Sequence, residues 1–196
     1  MKKLRKIALF GGSFNPPHNG HAQVLRWLLD DGDFAEIWLV PVFKHPFGKG
    51  LAPFEHRMAM TQLLTSSIQD ERLVVSAIES ERGPKPSYTL DTIKALKERI
   101  PDSEIHIVVG SDVKEELNKW HQIDELKKQA QFLFVPRAGF EDSPFDDISS
   151  SKIRQSCNDK TFLKNSLPSE VFKYLLANHL YQAWSPLGFR SMLRHA

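Results

Sequence analysis

Short apolar runs alternate with longer amphipathic segments along the chain. Five runs are rich in branched residues, as is typical of buried strands, and they cover residues 6–10, 36–42, 73–78, 105–109 and 132–135. Between them apolar residues recur three or four apart, which predicts helices over residues 21–29, 54–68, 89–100 and 123–128, with a last helix over 168–180. This alternation is typical of βαβ units. We therefore predict an α/β fold with a doubly wound parallel sheet covered by helices on both faces.

The length of 196 residues fits one domain, which we place over residues 1–181. Residues 136–147 are acidic and turn-rich and predict an irregular surface connection. Residues 182–196 show no clear period, so this tail either frays or docks on a neighbour. A homo-oligomer is compatible with the sequence.

Composition narrows the class of protein. Apolar residues make up 41% and charged residues 26% of the chain, as in soluble globular proteins, and no apolar run is long enough to span a membrane. The single cysteine, Cys157, cannot form an internal disulfide, which favours the cytoplasm. A net charge of +2 is too small to indicate a nucleic-acid partner.

The loop after the first strand contains the largest group of candidate ligand-binding residues. Ligands of open parallel sheets bind beyond the carboxyl ends of the strands. Here Gly11 and Gly12 allow close backbone approach, and a helix that can receive an anion follows. His18 and His21 are three residues apart, so on a first helical turn they would face the same phosphate, and Gly20 leaves room beside them. The alternative is that both histidines are exposed to solvent and bind no phosphate. No acidic residue or cysteine at helical spacing completes a metal site with them, so we predict none.

A second polar segment covers residues 148–154 and opens another predicted helix. Ser149, Ser150 and Ser151 could simply cap that helix. Capping does not account for Arg154, since a cation near a helix start opposes the macrodipole. A bound polyanion would account for it, because hydroxyls and a guanidinium all donate hydrogen bonds to phosphate oxygens.

The middle of the chain contains candidates for a second ligand. Ser87, Tyr88 and Thr89 lead into a helix whose start could receive a carboxylate or phosphate, or could be a plain capped turn. Asp112 follows a buried strand and could accept from ribose hydroxyls or cap a helix. Trp120 could stack on an aromatic ring or simply pack.

These motifs resemble those of a known superfamily. Residues 11–21 are similar to the signature of the HxGH nucleotidyltransferases, Gly-(Ser/Thr)-Phe-Asx-Pro followed by His-x-Gly-His. Residues 148–154 resemble the second signature, Ile-Ser-Ser-(Thr/Ser)-x-Ile-Arg, which is typical of the nicotinate and nicotinamide mononucleotide adenylyltransferases. Residues 86–89, 110–112 and 119–120 resemble the Pro-Ser-Tyr-Thr, Gly-x-Asp and Lys-Trp motifs of the bacterial nicotinate mononucleotide enzymes. The likeness extends from residue 6 to residue 181.

The resemblance implies a Rossmann-like nucleotidyltransferase fold and adenylyl transfer from ATP to nicotinate mononucleotide, with Mg²⁺ carried by the ATP. It implies catalytic roles for His18, His21 and Arg154. The implied ATP-binding residues are Gly12, Ser13, Phe14, Gly20, Lys44, Gly110, Asp112, Ser149, Ser150 and Ser151. The implied pyridine-nucleotide-binding residues are Asn15, Ser87, Tyr88, Thr89 and Trp120.

The chain departs from the family pattern in three places. Asn15 stands where many relatives carry Asp. Residues 44–49 replace the usual Pro-Pro-His-Lys loop, which leaves open whether Lys44 or Lys49 reaches the phosphates. The connection from residue 137 to residue 148 is shorter than in many relatives.

Three other functions remain as alternatives: nicotinamide mononucleotide as the acceptor, phosphopantetheine as the acceptor, and a non-catalytic nucleotide-binding module. Phosphopantetheine enzymes usually lack the second signature in this form. A helix N-terminus near Thr89 favours an acceptor that carries a carboxylate over a neutral amide.

Overall fold

A single parallel sheet forms the centre of the computed structural model, which describes residues 4–136 and 145–182. Its five strands stand in the order β3-β2-β1-β4-β5, and every neighbouring pair is parallel. Their bounds are β1 Arg5–Gly12, β2 Glu36–Pro41, β3 Leu73–Val75, β4 Ser103–Gly110 and β5 Gln131–Val135. This order confirms the predicted doubly wound α/β fold.

The central strands are mostly apolar because both faces of the sheet are covered. In β1, Ile7 and Leu9 pack into one core, whereas Ala8 packs into the other. Successive side chains of β1 therefore enter opposite cores, and its middle positions, residues 7–9, are all buried. This is why the middle of the strand appears in the sequence as a continuous apolar run.

Eight helices flank the sheet in the described part of the chain. They are α1 Asn19–Asp31, α2 Phe54–Ser66, α3 Ile78–Glu81, α4 Thr89–Arg99, α5 Ile123–Gln129, α6 Ser150–Gln155, α7 Lys160–Ser166 and α8 Ser169–Ala177. A 3-10 segment spans Ser111–Lys119. One face of the sheet carries α1, α2, α6, α7 and α8, and the other carries α3, α4 and α5.

The predicted strand over residues 73–78 is wrong at its carboxyl end. Among the described residues, strand β3 pairs only with β2, and it ends at Val75. Ser76 then donates its backbone N–H to Leu39 O, and its Oγ accepts the N–H of Ile78. Ile78 therefore begins the short helix α3 instead of extending the strand. The last helix is also shorter than predicted: it begins at Ser169 and ends at Ala177 instead of residue 180.

Besides α3, the sequence pattern missed two further segments. The 3-10 segment and α7 are short and mostly polar, so neither shows a clear apolar period. No described helix combines the length and the apolar character that crossing a bilayer requires. The predicted irregular connection falls largely on residues 137–144 and the tail largely on residues 183–196, which lie outside the described residues.

Candidate active site

Two cavities meet above the carboxyl ends of β1 and β4, where the strand order reverses direction. Both are lined by the ends of these strands and the residues that follow them: Phe10, Ser13, Val108, Val109, Gly110 and Val113. The first cavity has a volume of about 320 Å³ and the second about 640 Å³. Ligands in the two cavities would therefore lie side by side at the switch point of the sheet.

The two histidines lie together on the wall of the first cavity. His18 is the N-cap of α1 and His21 is its third residue, and their ring centroids are 3.8 Å apart. The Nδ1 atom of His21 accepts the backbone N–H of His18 at 3.1 Å. Because Nδ1 acts as an acceptor, the ring proton of neutral His21 sits on Nε2, which makes that nitrogen a hydrogen-bond donor.

Gly20 lies against His18. A Cβ atom built at Gly20 would stand 3.1 Å from both Cε1 and Nδ1 of the His18 ring, closer than ordinary van der Waals contact. The glycine between the two histidines therefore allows the His18 ring to occupy its observed position.

The three serines of the second motif have three different partners. Ser149 caps α6 by accepting the N–H of Lys152, and Ser150 Oγ donates to Pro16 O at 2.8 Å. Ser151 Oγ accepts from Nη2 of Arg154 at 3.2 Å. The Ser150 hydroxyl thus holds α6 against the first loop, residues 13–18, whereas the other two hydroxyls bond within the α6 segment. All three serines line the first cavity.

Arg154 joins α6 to the same loop. Its Nη1 donates to the backbone carbonyl of Asn15 at 2.6 Å, and the residue lines the first cavity. Burial lowers the pKa of its guanidinium, and the nearby Tyr181 acts in the opposite direction. The group remains a cation beside the two histidines.

Arg57 is a site-building residue that the sequence analysis missed. It is 1% exposed, and it donates to the carbonyls of Ser13, Val42 and Ala52 at 3.0, 2.7 and 2.9 Å. Burial lowers the pKa of Arg57. One buried guanidinium from α2 therefore fixes the loops after β1 and β2 to each other.

The start of α4 forms one wall of the second cavity. Thr89 is the first residue of α4, and Tyr88 before it stacks on His121 with ring centroids 4.2 Å apart. Trp120 packs edge-to-face on Phe132 at 6.1 Å and also lines the cavity. Aromatic rings beside a helix N-terminus suit a flat ring that carries negative charge.

Glu79 is a second residue missed by the sequence analysis. Its buried carboxylate accepts from the N–H of Phe43 at 2.9 Å and from Thr92 Oγ1 at 3.0 Å, and it lines the second cavity. These bonds join the loop after β2 to α4. With both oxygens occupied by donors, Glu79 shapes the cavity.

The two lysines of the loop after β2 lie in different places. Lys44 Nζ is 3.4 Å from Pro84 O, and its backbone pairs with Ser87 through bonds of 2.9 and 3.1 Å. Lys49 lines the first cavity, whereas Lys44 lines neither cavity. His45 and Phe47 of the same loop line the second cavity, and burial followed by the charge of Lys49 lowers the pKa of His45.

The remaining predicted residues divide between the cavities. Those on the first cavity are Phe14, Asn15, Gly20 and Asp112, and those on the second are Gly12, Ser87, Tyr88, Thr89 and Trp120. Asn15, predicted with the pyridine set, thus lies on the first cavity. Among the described residues, no group of three or more His, Cys, Asp or Glu side chains could hold a metal ion.

The fold and the paired cavities place the chain in a class of nucleotide-binding α/β proteins. The cytidylyltransferase-like family matches residues 9–156, which include both histidines and Arg154. This is the region that builds the first cavity.

Proteins with similar sequences align over nearly the whole chain. A probable nicotinate-nucleotide adenylyltransferase of Bacillus licheniformis is 37% identical, over 91% of this chain and all of that protein. The nicotinate-nucleotide adenylyltransferase of Bacillus subtilis is 34% identical over 92% of this chain and all of its own. The Plasmodium falciparum nicotinic acid mononucleotide adenylyltransferase complexed with NaAD has the same fold, with a TM-score of 0.77 and 23% identity over 90% of this chain and 97% of that one. The chain therefore belongs to the cytidylyltransferase-like family and, within it, to the nicotinate-nucleotide adenylyltransferases.

Proposed function

We propose that this protein transfers the adenylyl group of ATP to nicotinate mononucleotide, forming the nicotinate dinucleotide and pyrophosphate. The observation that carries the proposal is the meeting of two cavities above β1 and β4, one lined by two histidines and an arginine and the other by aromatic rings and the start of α4. ATP occupies the first cavity and the mononucleotide the second. Relatives described as nicotinate-nucleotide adenylyltransferases support this choice of substrates.

The reaction is an in-line displacement at phosphorus. A 5′-phosphate oxygen of nicotinate mononucleotide attacks the α-phosphorus of ATP, and the bond from that phosphorus to the α–β bridging oxygen breaks. The leaving group carries the electron pair away as pyrophosphate. Because a phosphate monoester is already ionised near neutral pH, the nucleophile needs no general base.

The protein then accelerates the reaction by positioning two anions and stabilising the charge that develops between them. We assign this role to the cationic guanidinium of Arg154 and to donors on His18 and His21, with Nε2 of His21 already set as a donor. Lys49 adds a cation at the rim of the same cavity. The ATP enters as its Mg²⁺ complex, in which the metal neutralises part of the phosphate charge.

The wall of the second cavity favours nicotinate over nicotinamide. The N-terminus of α4 carries a partial positive charge, and Lys119 lines the cavity. A carboxylate on the pyridine ring gains from both, whereas a neutral amide gains little. The carboxylate of Glu79 is held by two donors, so it does not face the ligand as an unpaired charge.

The test is pyrophosphate release from Mg·ATP with nicotinate mononucleotide, nicotinamide mononucleotide, phosphopantetheine or no acceptor. We expect release that depends on the pyridine mononucleotides and is fastest with the nicotinate form. His18→Ala should fold and lose roughly 100-fold or more in turnover. Release with phosphopantetheine alone would contradict the acceptor, and ATP binding without release under any condition would indicate a non-catalytic module.

Two expectations from the sequence stay predictions: a cytoplasmic location, based on the single cysteine, and a homo-oligomer.

A further inference from the structure

A tyrosine from the far end of the described chain is buried beneath the first loop. Tyr181 lies beyond α8 and is 4% exposed, and it belongs to the core cluster that also contains Phe14. Its hydroxyl donates to Oδ1 of Asn15 at 2.8 Å across 166 positions of sequence. It lines neither cavity, so it does not reach a substrate directly.

Asn15 is fixed in one orientation by this contact. Its Oδ1 also accepts the backbone N–H of Ala52 at 3.0 Å, and the side chain is 1% exposed. The backbone N–H of Ala52 can only donate, so it requires an acceptor at Oδ1 and the amide cannot be turned over. The Tyr181 hydroxyl therefore donates to this same oxygen. The backbone carbonyl of the same residue accepts from Arg154. The position of Asn15 thus determines where the Arg154 guanidinium is held, and His18 follows three residues later.

The backbone at Tyr181 is itself unusual. Its φ angle is +67°, in the left-handed region that bulky side chains rarely adopt, and that of His179 is +51°. Such a conformation persists where surrounding contacts hold it. Here the ring is packed in the core and the hydroxyl is bonded to Asn15.

We propose that Tyr181 is a positioning residue for adenylyl transfer: through Asn15 it holds the first loop, and with it Arg154 and His18, in the geometry that the reaction requires. This inference rests on the proposed function of the site. It adds a residue outside both cavities to the set that determines turnover.

The test is Tyr181→Phe, which keeps the ring and its packing but removes the hydroxyl. We expect kcat to fall about three- to tenfold, the range for loss of one buried hydrogen bond, with the KM for the mononucleotide within about twofold of the wild type. Tyr174→Phe is the matched control, since its hydroxyl bonds His56 at 2.9 Å and its ring packs on the same core, but it lines neither cavity. Tyr174→Phe should lower thermal stability to a similar degree and leave kcat unchanged. Equal kcat values for the two variants would overturn the proposal.

A second measurement separates positioning from loss of stability. Asn15→Ala removes the acceptor, so Tyr181→Phe should cause no further fall in kcat in that background, whereas additive losses would contradict the coupling. If Asn15→Ala does not fold, the comparison of the two tyrosine variants decides.

The pH profile provides a third readout. Burial raises the pKa of the Tyr181 phenol far above its usual range, with the charges of Arg154 and Arg57 acting against that rise. The hydroxyl therefore stays a donor, and the ratio of wild-type to Tyr181→Phe kcat should be constant from about pH 7 to about pH 10. A ratio that falls to one as the pH approaches 10 would refute the donor role. Wild-type turnover is measured first, so an inactive wild type would refute the proposed function and not the role of Tyr181.

Discussion

Substitution of Gly20 by alanine should separate catalysis from stability in this protein. Gly20 is the second residue of α1, where alanine is intrinsically favoured over glycine by up to about 1 kcal/mol. The new Cβ would stand 3.1 Å from two atoms of the His18 ring, so the ring must shift by a few tenths of an ångström. The propensity gain and the crowding oppose each other, and we expect the free energy of unfolding to change by less than about 1 kcal/mol.

Turnover should respond more strongly. A misplacement of about 1 Å can cost about 100-fold in rate, so a shift of a few tenths of an ångström in His18 should lower kcat roughly tenfold. The assay is steady-state pyrophosphate release at saturating Mg·ATP and nicotinate mononucleotide, with thermal unfolding measured on the same samples.

The control is the same substitution in a His18→Ala background. With the ring removed, the added Cβ has nothing to displace, and Gly20→Ala should cause no further loss. Wild-type turnover in Gly20→Ala, or an equal loss with and without His18, would refute the reasoning.

Four further predictions follow from single contacts. Arg57→Met should lower the free energy of unfolding by about 3 kcal/mol or more, since it leaves three loop carbonyls without their buried donor. Urea unfolding measures this change, and a decrease of less than about 1 kcal/mol would contradict the prediction. His21→Asn should keep an acceptor for the His18 N–H but lose the Nε2 donor. Its melting temperature should therefore match that of the wild type, while kcat falls about 100-fold. A retained kcat would be evidence against the donor role. Lys49→Ala should raise the KM for Mg·ATP about fivefold or more and Lys44→Ala by less than about twofold, and the reverse order would place the other lysine at the phosphates. Hydrogen bonds from Arg72 lower the pKa of Asp70. The wild type should therefore have a slightly larger free energy of unfolding than Asp70→Asn above about pH 4, and this difference should fade as the pH falls through the lowered pKa. A difference that grows in acid would contradict this.

The sequence predicted the parts of the site that depend on local spacing. His18 and His21 lie together at the start of α1 because they are three residues apart, as its N-cap and third residue. The three serines stand at the start of a helix because that is where hydroxyl residues cap. The doubly wound sheet followed from the alternation of apolar runs and amphipathic segments. Each of these features depends on residues that are close together in sequence.

The contacts that hold the site together were not predictable in the same way. Arg57 reaches Ser13 across 44 positions and Tyr181 reaches Asn15 across 166, and neither residue belongs to a motif with a recognisable spacing. Nor could the sequence show that Lys44 is bonded to Pro84 while Lys49 lines the first cavity, because one loop carries both lysines. Such pairings are set by tertiary packing, which a pattern within one segment does not report.

The most direct test of the central claim is a competition between the two pyridine mononucleotides. Purified protein is given Mg·ATP with equal concentrations of nicotinate and nicotinamide mononucleotide, and the two dinucleotide products are separated and quantified at low conversion. Their ratio gives the ratio of kcat/KM values. We predict that the nicotinate dinucleotide predominates, by about tenfold or more if the N-terminus of α4 contributes about 1.4 kcal/mol to holding the carboxylate. Predominance of the nicotinamide dinucleotide, or formation of neither product, would contradict the proposed reaction.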